Sequence, residues 1–374
     1  MKKLLIFHPA LAPYRIDQFN ALSELFELEV VFIFENVPDN NFDQIKLLSL
    51  LQFKYSFLLK GIFIKNRVFR FGMFRTIKRF NPDIIFGYEY SFTTQFLIVL
   101  KTFGLIHQKI GSTIDDSIDI CYHVQSRSRY FARQISVKRL DYLIVMTREV
   151  SQFYQNKFNL KDDQLIVSPI LQNPERLRKN YVELQNIAKG YSQKYNLEGK
   201  KVLLFVGRFI PEKALPKFLD TFHSLLLEQE NLVLVLVGDG EDRHTLDVYV
   251  KENQLEYKVF LPGRFEGQQL NAWYLCSSGL VFPSMYEPFG AVVNEALIFG
   301  LKVFCSKHAG SSYLVGAEKG IIYDPLSEKE AITKMKIFLS LIEDVQEIDM
   351  KKKPSLMLNH TTDFIREWRK ISAE

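Results

Sequence analysis

The stretch VLLFVGRFIPEKALPKFL, Val202–Leu219, runs from an unbroken apolar segment through a glycine and two cations into residues of helical character. An apolar run with no polar alternation is what a parallel strand covered on both faces requires. The same grammar recurs downstream in LVLVLVGDG (232–240), VFLPG (259–263), GLVFPS (279–284) and KVFCS (302–306). It recurs upstream in KLLIFH, LEVVFIF, DIIFGY, QKIGSTI, DYLIVM and QLIVSP, between 3 and 169. Strands separated by helix-length segments predict an open α/β sheet in each half of the chain. Ligands of such sheets bind at the carboxyl ends of the strands, so functional residues are expected there.

The 374 residues exceed what one core usually covers, and 47% apolar with 24% charged residues is globular composition. The densely charged connector between Gln172 and Lys200, which contains Pro174, marks a boundary. Residues 1–175 are therefore expected as one domain and 176–359 as a second. The closing segment TTDFIREWRKIS (361–372) reads as a helix with Phe364, Ile365 and Trp368 at helical spacing, and 360–374 is expected to rejoin the first domain.

Cys121, Cys276 and Cys305 are odd in number and scattered, which excludes a disulfide framework and a CxxC-type zinc site and suits a reducing compartment. The opening MKKLLIFHPALAPYR has too short an apolar run for a signal peptide and reads as a buried first strand. No run of about 18 uncharged apolar residues occurs, so no membrane span is expected. A cytoplasmic location follows as the expectation.

Three strand ends carry chemistry. Gly207 is followed at once by Arg208, with Lys213 near the start of the next helix; two cations beside a helix N-terminus suit a pyrophosphate. The plain alternative is a solvated loop. Gly238, Asp239 and Gly240 allow a tight turn or a close backbone approach, and serve equally as an ordinary connection. In YEPFGAVVNEALIFG (286–300), Pro288 keeps Glu287 in the loop, while Glu295 lies on the helix expected from about Gly290. On a continuous helix these carboxylates would be about 80° apart around the axis and about 12 Å apart along it; the break lets Glu287 fold over the helix start. Carboxylates accept from sugar hydroxyls, while free amides, Arg and Lys donate to phosphates. A nucleotide-sugar site is the reading that uses all of these.

The series VGRF-x-x-x-K, VGDG and PSMYEPFGAVVNEAL resembles the donor domain of the retaining GT-B glycosyltransferases, in particular glycosyltransferase family 4. The specific motifs lie between about 202 and 315, and PYRIDQFNAL near the N-terminus is similar to the first loop and helix of a subset of such enzymes. The resemblance implies two facing Rossmann-like doubly wound domains with a cleft between them. It implies that Arg208 and Lys213, after Gly207, hold the donor diphosphate and stabilise departing charge. Glu287 would bind sugar hydroxyls and Glu295 the ribose. Pro288, Phe289 and Gly290 would supply the loop and amides at the sugar or phosphate, and the loop near Arg264 would receive the base. Tyr14 and Arg15 would lie on the acceptor side. Cations and helix dipoles replace a metal in such enzymes, so neither a metal nor a cofactor is expected beyond the nucleotide-diphosphate sugar as co-substrate. A donor phosphate oxygen would take the acceptor's proton on the front face, with no obligatory side-chain nucleophile.

The first half departs from that pattern. Its first loop, HPALAPYR, has no glycine, and KIGSTIDDSIDI places Asp115 or Asp116 where a histidine is often seen; an aspartate acting there is the expectation. His107 and His123 flank the segment and read as structural or exposed. DDSID also spells the D-D-x-x-D magnesium motif of prenyl synthases, but no second acidic motif accompanies it. A metal-binding DxD of the other glycosyltransferase fold is disfavoured by the second donor-type domain.

Lys54–Asn81 holds eight basic residues and no acidic one, interleaved with phenylalanines, in a chain of net charge +5. A basic helix with an aromatic face reads as a surface for anionic lipid; the alternatives are a solvated basic face over a core stripe, and nucleic-acid binding, which no motif supports. The expected activity is transfer of a sugar to a glycan or lipid-linked acceptor for surface polysaccharide or glycolipid. The alternatives are an inactive GT-B subunit that binds nucleotide sugar or a partner transferase, and a GT-B epimerase, which the Glu pair fits less well.

Overall fold

The computed structural model describes residues 1–37, 42–64, 67–123, 126–226, 228–349, 351 and 353–372, without the side chains of Ile64 and Arg67. The chain divides into two compact units, 1–172 with 359–374, and 173–358.

The first unit contains β1 (Lys3–His8), β2 (Glu27–Phe32), β3 (Lys54–Phe57), β4 (Gly61–Ile64), β5 (Arg67–Arg70), β6 (Ile84–Tyr88), β7 (Lys109–Ile114), β8 (Tyr142–Val145) and β9 (Leu165–Val167). Seven of these form a parallel sheet in the order β3-β2-β1-β6-β7-β8-β9. The second unit contains β10 (Lys201–Val206), β11 (Leu232–Val237), β12 (Val259–Gly263), β13 (Gly279–Phe282), β14 (Lys302–Ser306) and β15 (Gly320–Tyr323). Its six-stranded sheet, also parallel, runs β12-β11-β10-β13-β14-β15. Both are doubly wound Rossmann-like sheets. In each, the chain starts at a central strand, builds to one side, then returns to the other side of the starting strand. The loops after β1 and β6, and after β10 and β13, therefore diverge at a switch point and leave a crevice.

The apolar runs are buried as parallel strands must be, with every residue of β11 covered. The helix His360–Ser372 packs on the first unit, where Trp368 is 2% exposed. Its ring stands edge-on to Phe26 and Phe86, at centroid distances of 6.2 and 5.7 Å, and its Nε1–H donates to Ser168 Oγ at 2.8 Å.

The basic stretch corrects the expectation of one amphipathic helix. It forms the edge strand β3, the antiparallel hairpin β4–β5 and only a short helix, Met73–Phe80, entered through Gly72 and closed by a left-handed Asn81. Aromatic and β-branched residues dense in 61–70 favour paired strands over helix. The charge is also less free than the count suggested. Arg79 and Lys54 both pair with the fully buried Glu29 of β2, the latter at 3.8 Å. Arg70 is buried, donates to the Leu59 carbonyl and lies over the rings of Phe34 and Phe63. Lys60, Arg75 and Lys78 are exposed; Lys65 and the side chain of Arg67 lie outside the described residues.

Candidate active site

In the second unit, the chain leaves β10 through Gly207 and forms a 3-10 turn at Pro211–Lys213 before the helix Leu215–Leu226. The loop after β11 packs against this one. A Cβ on Gly238 would lie 1.8 Å from the Gly207 carbonyl oxygen, so only glycine fits, and Phe209 N–H donates to Asp239 O at 2.8 Å. The glycines of VGDG thus brace the cation loop from behind.

The loop after β13 is tied to the same turn, because Met285 N–H donates to Glu212 O at 2.8 Å. That tie brings Lys213 Nζ onto Glu287 Oε2 as an ion pair, with the side chains only 13% and 15% exposed. The ammonium also stands 5.4 Å from the centre of the Phe282 ring, the last residue of β13. Glu287 and Phe289 each accept through their carbonyls from the next loop: Gly310 N–H to Glu287 O at 3.0 Å, and Ser311 N–H to Phe289 O at 2.7 Å. The helix Ala291–Ile298 starts at Gly290, whose φ of 93° is left-handed, and a Cβ there would meet the Phe282 ring at 2.5 Å. Pro288 separates the two carboxylates as the break in the pattern required. Glu295 lies on the helix and accepts from Tyr274 OH at 2.6 Å. Burial, with the Glu295 charge beside it, holds the Tyr274 phenol well above its usual pKa, so Tyr274 remains a donor.

Arg208 is exposed and has no ion pair among the described residues. Arg264 is also exposed and pairs with Glu266 at 2.5 Å. Two hydroxyls escaped sequence reasoning: Ser284 and Ser311 are fully buried in these loops, and their Oγ atoms have no partner among the described residues. Buried polar atoms left in this way call for an explanation, and a polar ligand is one. Serine in a PSxY loop gave no signal of its own.

In the first unit, Tyr14 and Arg15 belong to the turn Pro13–Arg15 after β1, and Asp115 and Asp116 follow β7. Arg15, 3% exposed, pairs with Asp115 and donates to Gln18 Oε1 at 2.7 Å. Asp116 is buried and accepts from Arg129 at 2.7 Å; burial raises its pKa. Arg129 also pairs with Glu89, which follows β6. Both aspartates are thus partnered by arginines, Asp115 by Arg15 across 100 positions and Asp116 by Arg129 across 13. A recess of about 150 Å³ opens here, lined among others by His8, Tyr14, Arg15, Glu89 and Asp115. His8 is neutral, since burial and then Arg15 press its pKa down to about 3. His107 and His123 are exposed. Among the described residues no cluster of three or more His, Cys, Asp or Glu side chains could hold a metal ion.

Two Rossmann-like parallel sheets with these strand-end loops place the protein in the α/β class of GT-B folds. Residues 189–353, within the second unit, match the family Glycosyl transferases group 1. The chain is 26% identical over 219 residues to O-antigen chain mannosyltransferase B of Escherichia coli, covering 56% of each. It is 32% identical over 121 residues to an uncharacterized glycosyltransferase, MJ1607, of Methanocaldococcus jannaschii, covering 32% of this chain and 31% of the relative. The alignments thus span under two thirds of these relatives. Among solved structures, sucrose-phosphate synthase of Thermosynechococcus elongatus superposes with a TM-score of 0.66 at 17% identity, over 100% of this chain and 97% of the other. Anabaena Alr3699/HepE in complex with UDP superposes at 0.68 with 14% identity over the full length of both. These likenesses establish the fold.

Proposed function

We propose that the protein is a retaining, metal-independent glycosyltransferase of family 4, moving a sugar from a nucleotide-diphosphate sugar to a glycan or lipid-linked acceptor. The observation that carries this reading is the Lys213–Glu287 pair at the β10/β13 switch point, next to the glycine-started helix Ala291–Ile298. In this reading the two side chains hold each other in place and exchange partners when donor binds. Lys213, with Arg208, takes the diphosphate and stabilises the charge that develops as the glycosidic bond breaks. Glu287 accepts from the donor sugar's hydroxyls, Glu295 from the ribose, and the base lies by Arg264. The bond between anomeric carbon and phosphate oxygen breaks, the acceptor oxygen bonds to that carbon on the same face, and its proton passes to the leaving phosphate. The cations do the work a metal would do elsewhere.

The likeness to HepE, whose structure contains UDP, supports a nucleotide donor. A likeness to WaaG, described as a glycosyltransferase involved in lipopolysaccharide biosynthesis, and to the E. coli O-antigen enzyme supports a surface-polysaccharide or glycolipid product. A thermal-shift screen against UDP-, GDP- and ADP-sugars tests the reading. A matching donor at 100 times its Kd is expected to stabilise the second unit by about 2.7 kcal/mol, and a screen with no shift would remove the donor assignment.

Among the described residues no helix is long and apolar enough to cross a membrane. We place the protein at the cytoplasmic face as a peripheral enzyme. The hairpin and the helix after it expose Ile62, Phe63, Phe71 and Phe74 beside Lys60, Arg75 and Lys78. Apolar insertion and three cations together suit an anionic surface. Flotation with phosphatidylglycerol vesicles is expected to exceed that with phosphatidylcholine, and to fall when Lys60, Arg75 and Lys78 are changed together to glutamine. Equal flotation on both lipids would exclude the surface role.

A further inference from the structure

We propose that Glu89 receives a hydroxyl of the sugar acceptor, in the recess at the β1/β6 switch point of the first unit. Calling that sugar an acceptor rests on the transferase reading above; the binding itself does not.

Three observations converge on this residue. Glu89 has a φ of 47°, a left-handed conformation that a glutamate adopts only when its surroundings impose it. They do so through its amide, which donates to Thr113 O at 2.7 Å, and its carbonyl, which accepts from Ser112 Oγ at 2.6 Å. The carboxylate is anchored at both oxygens, Oε1 by the Asp115 amide at 3.0 Å and Oε2 by Arg129. It still borders the recess and is 27% exposed. A carboxylate has about four acceptor positions, so a held Glu89 can accept from a ligand without moving.

The second observation is charge. Among the described residues Glu89, Asp115 and Asp116 pair with Arg15 and Arg129, and the buried Arg133 adds a third positive charge that acts on Asp116. Arg15 is matched to Asp115, whereas Arg129 is divided between Glu89 and Asp116, so Glu89 shares its one ion-pair partner. His8, from β1, is neutral and adds no cation, and Tyr88 and Tyr90 on either side of Glu89 have pKa values raised above the usual phenol by burial. Burial, reinforced by Asp116 and Asp115 and offset by Arg129, pushes Glu89 up to about 7. With Glu89 and Asp115 both in its lining, the recess offers carboxylate acceptors to neutral hydroxyl donors.

The third is shape. The recess lies where the loops after β1 and β6 diverge, the position at which doubly wound sheets take ligands. Its apolar wall, including Pro9, Ala10 and Ala12, can meet the C–H face of a sugar ring while Glu89 meets its hydroxyls.

Two variants and two readouts test the assignment. Glu89→Gln removes the charge, and Glu89→Gly removes the side chain while suiting the left-handed backbone, so the loop persists if one of them fails to fold. Methyl glycosides of glucose, galactose, mannose and N-acetylglucosamine serve as probes. Saturation-transfer NMR is expected to show at least one glycoside bound to the wild type and bound at least tenfold more weakly by both variants, with UDP or GDP binding unchanged. In transfer assays the acceptor KM is expected to rise at least tenfold. Wild-type kcat/KM for acceptor should climb as pH rises through about 7, because only the ionised carboxylate accepts fully, and this limb should vanish in Glu89→Gln. No glycoside binding to the wild type, or wild-type affinity and pH profile in both variants, would overturn the proposal. Glycoside binding that depends on Glu89 in a protein that binds no nucleotide would instead sink the transferase reading and leave Glu89 as a sugar ligand.

Discussion

Lys213→Ala is expected to lower sugar transfer by about 10²–10³-fold, the usual loss when one preorganised charge donor is removed from a site of developing negative charge. Beyond the phosphate contact proposed for it, Lys213 holds Glu287 through an ion pair whose members are 13% and 15% exposed. Removing the ammonium therefore leaves a largely buried carboxylate without its partner. The second unit should lose about 3 kcal/mol, the low end for a broken buried pair, because both side chains keep some water contact. Changing both residues to alanine should restore part of that stability without restoring transfer. Such non-additivity separates the structural share of the pair from its chemical share. Lys213→Arg should not rescue turnover, since a guanidinium fork has a different shape from a point charge seated 5.4 Å from the Phe282 ring centre. Steady-state transfer with the donor found by thermal shift, together with calorimetric melting, checks both arms. Wild-type turnover in Lys213→Ala would remove this pair from the mechanism.

Trp368→Ala should destabilise the first unit by about 3–5 kcal/mol, the range for truncating a buried large aromatic. Trp368 fills the space between Phe26 and Phe86 and gives its indole N–H to Ser168, so the substitution opens a cavity and orphans a buried hydroxyl. For a unit of this size, about 2–4 °C of melting temperature accompanies each kcal/mol. The first unit's calorimetric transition should thus fall by roughly 6–20 °C, while nucleotide still protects the second. Trp368→Phe keeps most of the ring packing and should cost markedly less. A first transition within a degree of the wild type in Trp368→Ala would show that the helix does not contribute to the first unit's core.

The parts of the fold that were readable from sequence share one property: their signal is local. Strands such as LVLVLV and KLLIFH are apolar throughout because a parallel strand has no wet face, and that pattern needs no knowledge of neighbours. The strands that escaped are those at the margins. β3 is a half-exposed edge strand, β15 is a four-residue edge, and β4–β5 lies outside both main sheets. β3 (KYSF) and β5 (RVFR) mix polar with apolar residues, β4 (GIFI) and β15 (GIIY) are apolar but only four residues long, and within the basic stretch such segments resemble a cationic helix. The ion pairs of that stretch were likewise unreadable, because the acid that takes Lys54 and Arg79 is Glu29, on another strand.

The candidate sites divide in the same way. The cation loop, the glycine turn after β11 and the proline break between Glu287 and Glu295 are legible in order along the chain, because strand ends, glycine and proline impose local geometry whatever surrounds them. Sheet order alone decides which of these residues meet. It brings Lys213 to Glu287 across 74 positions and Arg15 to Asp115 across 100. It also places Glu89, in a YEY sequence with no motif, in a left-handed turn between Arg129 and the end of β7. A residue whose role comes from an imposed backbone angle and a shared arginine has no signature in its neighbours in sequence. The sequence by itself determined two parallel sheets and the strand-end loops on which the proposed donor site is built. The tertiary structure decided the partners, since electrostatic pairing acts through space and depends on how the sheets order their strands.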